Sequence, residues 1–184
     1  MRSIELVLDD DTDAAIRAEW LALAESGLPS LASHTAPSNR PHITLAAGAA
    51  LEPDQVGDDA LEALPLPLRF SALATFPAGR DRFVLVRTVV VSSDLLALHA
   101  SVLAGTVDPV PTSRPGAWTP HVTLARRLTA AQVGAAHALL SPPADGIATA
   151  ARFWDGESKT IVPLGRSLAR GTDGDVRAGA SRRS

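Results

Sequence analysis

The sequence predicts an α+β fold made of a duplicated unit, with two lobes, flanking helices and a central groove. Pro-His-Ile-Thr-Leu-Ala at residues 41–46 recurs 79 positions later as Pro-His-Val-Thr-Leu-Ala, so five of six residues are identical. A strand pattern and then a helical pattern precede each copy. Two copies of one strand-helix-strand unit indicate approximate twofold symmetry, which would bring the repeated strands together at the centre of the molecule.

Five elements are predicted in the first half. They are a strand over residues 3–8, a helix that begins in the acidic stretch 9–13, the repeated strand at 40–46, a helix from residue 53 to about residue 64, and a strand over 66–76. Ile16, Trp20 and Leu23 have three- and four-residue spacing, which predicts one buried helix face. The acidic stretch suits the first turn of a helix, where the dipole favours negative charge. Pro53 suits a first helical position.

The second half repeats this order and adds a helix and two strands. The elements are a strand over residues 82–91, a helix capped at residues 92–94, the repeated strand at 118–125, a helix after residue 129, and strands over 147–154 and 159–166. Thr129 and Gln132 form a capping box pattern. The helical spacing places His99 and His137 on buried faces, so we expect both to be structural, as we do for His34 in a polar loop.

Composition limits the domain organisation and the chemistry. The chain has 184 residues, 46% of them hydrophobic, and no cysteine, which excludes disulfides, thiol nucleophiles and cysteine-ligated zinc. We expect one bilobal domain over residues 1–170, with lobes at about 1–80 and 81–170 and with strand exchange left open. Residues 171–184 lack periodicity, which predicts a disordered tail.

Charge and the amino terminus limit the partners. The formal net charge is −3, whereas proteins that grip long nucleic acids need many cations against the phosphates. No apolar segment near the amino terminus is long enough for a signal peptide or a membrane span. We therefore expect a cytoplasmic monomer that binds neither membranes nor long DNA and acts on a small phosphate, a nucleotide or an RNA end.

The repeated strands predict a catalytic pair. Side chains two apart in a strand share a face, so His42 lies beside Thr44 and His121 beside Thr123. Histidine titrates near neutrality, so one ring can accept a proton while the other donates one, as phosphodiester hydrolysis requires. The two hydroxyls and a guanidinium can hold the non-bridging oxygens. Arg126 and Arg127 are both candidates for that cation, because Arg126 shares the histidine face only if the strand bulges or ends there.

The two His-x-Thr strands resemble the signature of the 2H phosphoesterase superfamily, and the chain is similar to its 2′-5′ RNA ligase-like (LigT-like) cyclic phosphodiesterase branch over residues 3–166. The resemblance implies two antiparallel sheets and metal-independent hydrolysis of 2′,3′-cyclic phosphates without a cofactor. It further implies that His42 is the acid and His121 the base, and that Arg126 joins the two threonines in binding phosphate. Arg40, just before the first motif, is a further candidate.

One feature departs from the family pattern. Family members commonly carry an aromatic residue shortly after the first motif, whereas this chain has Ala46, Ala47 and Gly48. Trp118 or Phe76 is the candidate for a substitute wall against a nucleobase. The substrate could equally be a small cyclic phosphate of another kind.

Other functions remain open at this stage. A binding module that senses a nucleotide or phosphate without turnover would keep the same groove. RNA end joining, the reverse reaction, would use the same residues, although no ATP-binding motif is present. No spacing of histidines and carboxylates predicts a metal site.

Overall fold

The structure is a computed structural model that describes residues 1–140 and 145–165. Seven strands and three helices follow one another along these residues. They are β1 (Arg2–Leu8), α1 (Asp10–Glu25), β2 (His42–Gly48), β3 (Leu66–Pro77), β4 (Phe83–Val89), α2 (Ser93–Gly105), β5 (His121–Leu128), α3 (Ala130–Leu139), β6 (Asp145–Asp155) and β7 (Thr160–Leu164). The predicted tail at 171–184 and the predicted strand end at Arg166 lie outside the described residues.

The described strands pair antiparallel in the order β2-β1-β6-β3-β4-β5, with β7 beside β6. Strand β3 belongs to both parts of this order, since residues 66–69 pair with β6 and residues 70–77 pair with β4. The order therefore divides at β3 into two antiparallel sheets, which confirms the predicted fold class. Strands β6 and β7 come late in the chain but join the sheet of β1 and β2, so strands are exchanged between the sequence halves.

The helices begin at the residues that the sequence predicts. The side chain of Asp9 accepts a hydrogen bond from the amide of Thr12 at the start of α1, and Ser92 caps α2 in the same way. Thr129 and Gln132 form the predicted capping box of α3. The predicted faces of α1 and α2 are buried.

Two local predictions are wrong. The segment after β2 forms two short 3₁₀ turns, Pro53–Gln55 and Asp58–Leu61, instead of one helix. Gly57 separates them with an extended backbone (φ −66°, ψ 153°), and this conformation interrupts the helical hydrogen bonds. His137, which was predicted on a buried face, is exposed in the last turn of α3, because Ala136 is the buried residue of that helix.

The duplication is confirmed in its order of elements, but its sequence offset is not constant. The motif histidines are 79 positions apart, whereas Asp9 and Ser92, which occupy the same N-cap position, are 83 apart. A constant offset of 79 would align Asp13 with Ser92, whereas the structure aligns Asp9 with Ser92. The connection from helix cap to motif is four residues shorter in the second half.

The two motif strands meet although they lie at opposite ends of the strand order. Cα atoms of β2 and β5 come within 8 Å of each other. Trp20 of α1 donates its indole N–H to the carbonyl of Thr123 (3.1 Å), and Trp118 donates to the carbonyl of Thr44 (2.9 Å). These crossed bonds satisfy carbonyls at the outer edges of both strands.

Among the described helices, none has the length and apolarity needed to cross a bilayer.

Candidate active site

The two motif histidines are held in the same way. The Nδ1 atom of His42 lies 2.7 Å from the carbonyl oxygen of Arg40, and Nδ1 of His121 lies 2.6 Å from that of Thr119. A carbonyl only accepts hydrogen bonds, so Nδ1 carries the proton in each ring. Each Nε2 is therefore the nitrogen that can gain or lose a proton.

The alternation of side chains puts one threonine beside each histidine. His42 and Thr44 are half-buried while Ile43 between them is fully buried, and His121, Thr123 and Val122 repeat this pattern. Neither threonine hydroxyl has a hydrogen-bond partner among the described residues. Both hydroxyls are thus free to donate to a ligand.

A bulge decides between the two arginine candidates. Leu124 and Ala125 are both buried, and the pairing of β4 with β5 shifts at this point. After two consecutive core residues, Arg126 returns to the face of His121 and Thr123. Arg127 follows with a positive φ of 65°. The alternation therefore favours Arg126, which is exposed and close enough for its charge to act on His121.

The first lobe contains the same bulge without the cation. The pairing of β1 with β2 shifts between Ile4 and Glu5, and Ala46 at this point is fully buried. The residue that corresponds to Arg126 is Ala47. The symmetric groove thus receives its motif arginine from the second lobe.

The surroundings of His121 disfavour its charged form. Burial lowers the pKa of His121, and the positive charges of His42 and Arg126 lower it further, while the hydrogen bond to Thr119 acts in the opposite direction. The ring of Phe76 lies against the imidazole, with centroids 5.0 Å apart and planes tilted by 58°. An uncharged His121 near neutral pH suits a general base.

A buried carboxylate stands beside His42. The Oε1 atom of Glu5 lies 3.6 Å from Nε2 of His42, and its Oε2 accepts a hydrogen bond from Arg152 at 2.8 Å. Ser3 donates its hydroxyl to Oε1 at 2.6 Å. Sequence patterns did not single out Glu5 or Arg152, although a charge between apolar neighbours in each strand was a visible signal.

The structure places the other candidate residues around the groove in different roles. Arg40 turns its guanidinium to the carboxylate of Asp13 (3.2 Å) while its carbonyl holds His42. Trp118 stacks on the buried ring of His99, with centroids 3.8 Å apart, so one indole face is covered. Their contacts with a ligand remain predictions. His34 is exposed at the end of a 3₁₀ turn.

The described residues contain no group of three histidine, cysteine or acidic side chains arranged to hold a metal ion. The groove instead presents two imidazoles, two hydroxyls and one exposed guanidinium. Imidazoles can transfer protons, while hydroxyls and a guanidinium can bind the oxygens of a phosphate.

Comparison with solved structures supports the fold. Escherichia coli LigT in its apo form matches with a TM-score of 0.52 and 17% identity over 89% of this chain and 93% of LigT. Kluyveromyces marxianus Usb1, solved with uridine monophosphate, matches with a TM-score of 0.50 and 12% identity over 90% of this chain and 97% of Usb1. These identities are low, so the two structures show a shared fold.

Sequence comparison identifies the family. No curated protein matches the chain. The family model described as the 2′-5′ RNA ligase superfamily matches residues 11–160, which include both His-x-Thr strands. The chain therefore belongs to the 2′-5′ RNA ligase superfamily of 2H phosphoesterases.

Proposed function

We propose that the protein is a metal-independent phosphodiesterase that opens 2′,3′-cyclic phosphates of nucleotides or RNA ends by general acid–base catalysis. The observation that carries this proposal is the matched pair of imidazoles. Each has Nδ1 bound to a carbonyl two residues earlier, Nε2 free for proton transfer and a threonine hydroxyl beside it. Membership of the superfamily supports activity of the phosphodiesterase type.

The surroundings of the two rings support different roles. His121, with its lowered pKa, removes a proton from water as the water oxygen attacks phosphorus. The bond from phosphorus to one ribose oxygen breaks, and His42 delivers the Nε2 proton to that oxygen. Glu5 next to His42 attracts the charged ring that this step needs. The product is a ribose phosphomonoester.

The remaining groups bind the phosphate. Thr44, Thr123 and Arg126 can donate to the non-bridging oxygens, whose negative charge grows in the transition state. Arg40 and Trp118 remain secondary candidates for substrate contacts. The structure of Usb1 with uridine monophosphate supports a nucleotide-sized ligand for this groove. Action as a monomer in the cytoplasm, without a cofactor, remains part of the proposal.

Hydrolysis of a panel of 2′,3′-cyclic nucleotides in the presence of EDTA tests the proposal. We expect wild type to turn over at least one member, and His42→Ala and His121→Ala to lose about 10²- to 10⁴-fold in kcat. Phosphorus NMR of the product gives the position of the remaining phosphate. His137→Ala is the matched control, because His137 is an exposed histidine on α3.

Each alternative has a distinct result. Activity that EDTA abolishes, or that survives either motif substitution, contradicts the two-histidine mechanism. Calorimetric binding of a cyclic phosphate that is returned unchanged would support the binding module. A longer product from an RNA with a 2′,3′-cyclic end and an RNA with a free 5′ end would support end joining.

A further inference from the structure

A charged row crosses the floor of the groove in the first lobe. Glu5 on β1 pairs with Thr44 on one side and with Arg152 of β6 on the other. Paired residues of antiparallel strands project to the same face, so this row runs from the motif threonine into the sheet. Glu5 is 3% exposed and Arg152 is 7% exposed.

The ion pair of Glu5 and Arg152 lies beside one ring nitrogen of His42 and contacts the segment that leads to the carbonyl holding the other nitrogen. Glu5 lies beside Nε2 at 3.6 Å, which is too long for a hydrogen bond, so a proton on Nε2 stays available to a substrate oxygen. Arg152 also donates to the carbonyl of Ser38 at 3.3 Å. Ser38 is two residues before Arg40, whose carbonyl holds Nδ1. The same ion pair therefore touches the segment that orients one nitrogen and faces the other nitrogen.

Stability alone does not account for the ion pair. Burying two charges costs desolvation energy, and replacing a buried pair by apolar residues is often neutral or stabilising. The second lobe has such a replacement, because the row beside Thr123 consists of Val86 and Ala74. One fold thus accommodates both rows, and the charged one lies beside His42.

We propose that Glu5 is a positioning residue, which holds the His42 ring oriented for delivery of its Nε2 proton, so that the first lobe supplies the acid of the reaction. The proposal rests on the phosphodiesterase function proposed above. Arg152 balances the charge of Glu5, so an anionic phosphate can still approach. Ser3 donates to the oxygen that faces His42 and holds the carboxylate in place.

The leaving group provides the test. An alkoxide leaving from a cyclic phosphate needs a proton from His42, whereas nitrophenolate leaving from a nucleotide p-nitrophenyl diester does not. We expect Glu5→Gln to lower kcat on the cyclic nucleotide about ten- to a hundredfold, as part of the contribution of acid catalysis. KM and the rate on the nitrophenyl diester change less than threefold.

Glu19→Gln is the matched control. Glu19 is the carboxylate partner of another buried arginine, Arg87, and joins α1 to β4. The control removes the same charge from a buried pair elsewhere. Equal losses in Glu5→Gln and Glu19→Gln, or equal losses on both substrates, would overturn the positioning role.

A double variant tests the proposal if Glu5→Gln folds poorly. Glu5→Val with Arg152→Ala copies the row of the second lobe and leaves no unpaired buried charge. We expect it to fold and to lose the same factor on the cyclic nucleotide. Full activity in this variant would overturn the proposal. A loss in His42→Ala without a loss in the double variant would leave the phosphodiesterase function intact and reject only the role of Glu5.

A readout without turnover separates the two proposals further. In protein labelled with nitrogen-15 histidine, we expect Glu5→Gln to move the ring resonances of His42, because the carboxylate that lies 3.6 Å from Nε2 becomes an uncharged amide. Glu19→Gln leaves them unchanged. Unchanged resonances in Glu5→Gln would contradict the proposal even if no substrate were turned over.

Discussion

In the first lobe the row beside the motif threonine contains Glu5 and Arg152, whereas in the second lobe the same row contains Val86 and Ala74. The backbone is otherwise repeated, with a motif strand, an Nδ1 anchor and a bulge in each lobe. The difference lies in the residues that surround two equivalent histidines. Duplication provides two imidazoles, and the proposed mechanism uses the divergence of their neighbours to make one the proton donor and the other the proton acceptor.

The bulge shows a second difference of the same kind. It presents Arg126 to the groove in the second lobe and Ala47 in the first. The lobe with the apolar floor thus carries the exposed cation, and the lobe with the buried ion pair has none at this position. The exposed positive charge of Arg126 and the buried negative charge of Glu5 beside His42 therefore lie in different lobes.

The largest expected effect separates the roles of the two histidines. His42→Ala should lower kcat on a cyclic nucleotide by about 10²- to 10⁴-fold and spare a p-nitrophenyl diester, because nitrophenolate leaves without a proton. His121→Ala should lower the rate on both substrates, since both require activation of water. Steady-state rates on the two substrates check this. If instead His121→Ala spared the nitrophenyl diester and His42→Ala did not, His121 would be the acid and His42 the base.

The next effect concerns the arginine after the bulge. Arg126→Ala should lower kcat/KM about ten- to a hundredfold, which corresponds to the loss of a charge-assisted hydrogen bond of about 1.5–3 kcal/mol. Arg126→Lys should restore part of this. Arg127→Ala is the neighbouring control, and equal losses in the two alanine variants would contradict the assignment of Arg126 to the groove.

The sequence predicted the repeat and the elements that carry it because these depend on local patterns. Proline before each motif, alternation within it and caps at Ser92 and Thr129 are all short-range signals. The predicted helix from Pro53 does not form because the backbone is extended at Gly57, and Val56 and Leu61 on either side are both buried. Local propensity does not contain that tertiary preference.

The candidate site was predictable in part for the same reason. The motif histidines and threonines follow from strand periodicity, but Glu5 and Arg152 are 147 positions apart. Their meeting depends on β6 leaving the second half of the chain to pair with β1. A single sequence shows each charge within an apolar strand without showing that the two are partners. Arg126 can share the face of His121 only if the strand bulges before it, and that bulge is visible only in the strand pairing of the structure.

A smaller effect compares the crossed indoles that join the lobes. Trp20→Phe should lower the free energy of unfolding by about 2–3 kcal/mol, because Trp20 is 2% exposed and both its hydrogen bond and its packing are lost. Trp118→Phe should cost about 1 kcal/mol, since Trp118 is half-buried. Urea denaturation measures both.

Trp154→Phe is the control for these two variants. Its indole donates no hydrogen bond within the described residues, and it is half-exposed on β6. Equal costs for Trp20→Phe and Trp154→Phe would show that the bond to Thr123 adds nothing to stability.

The smallest effect is a shift in the pH dependence. His121 must be neutral to act as a base, and its pKa is lowered by burial and by the charges of His42 and Arg126. Lowering the pKa keeps the ring neutral in more acidic solution, so kcat/KM should fall with acid only below the ordinary histidine value of about 6.5.

Arg126→Ala removes one of the charges that lower the pKa of His121. Its acidic limb should therefore move to higher pH, while Arg126→Lys keeps the wild-type position. Rates on the nitrophenyl diester isolate this limb, because that substrate needs no proton from His42. An acidic limb above the ordinary value in wild type, or a move to lower pH in Arg126→Ala, would contradict the assignment of His121 as the base.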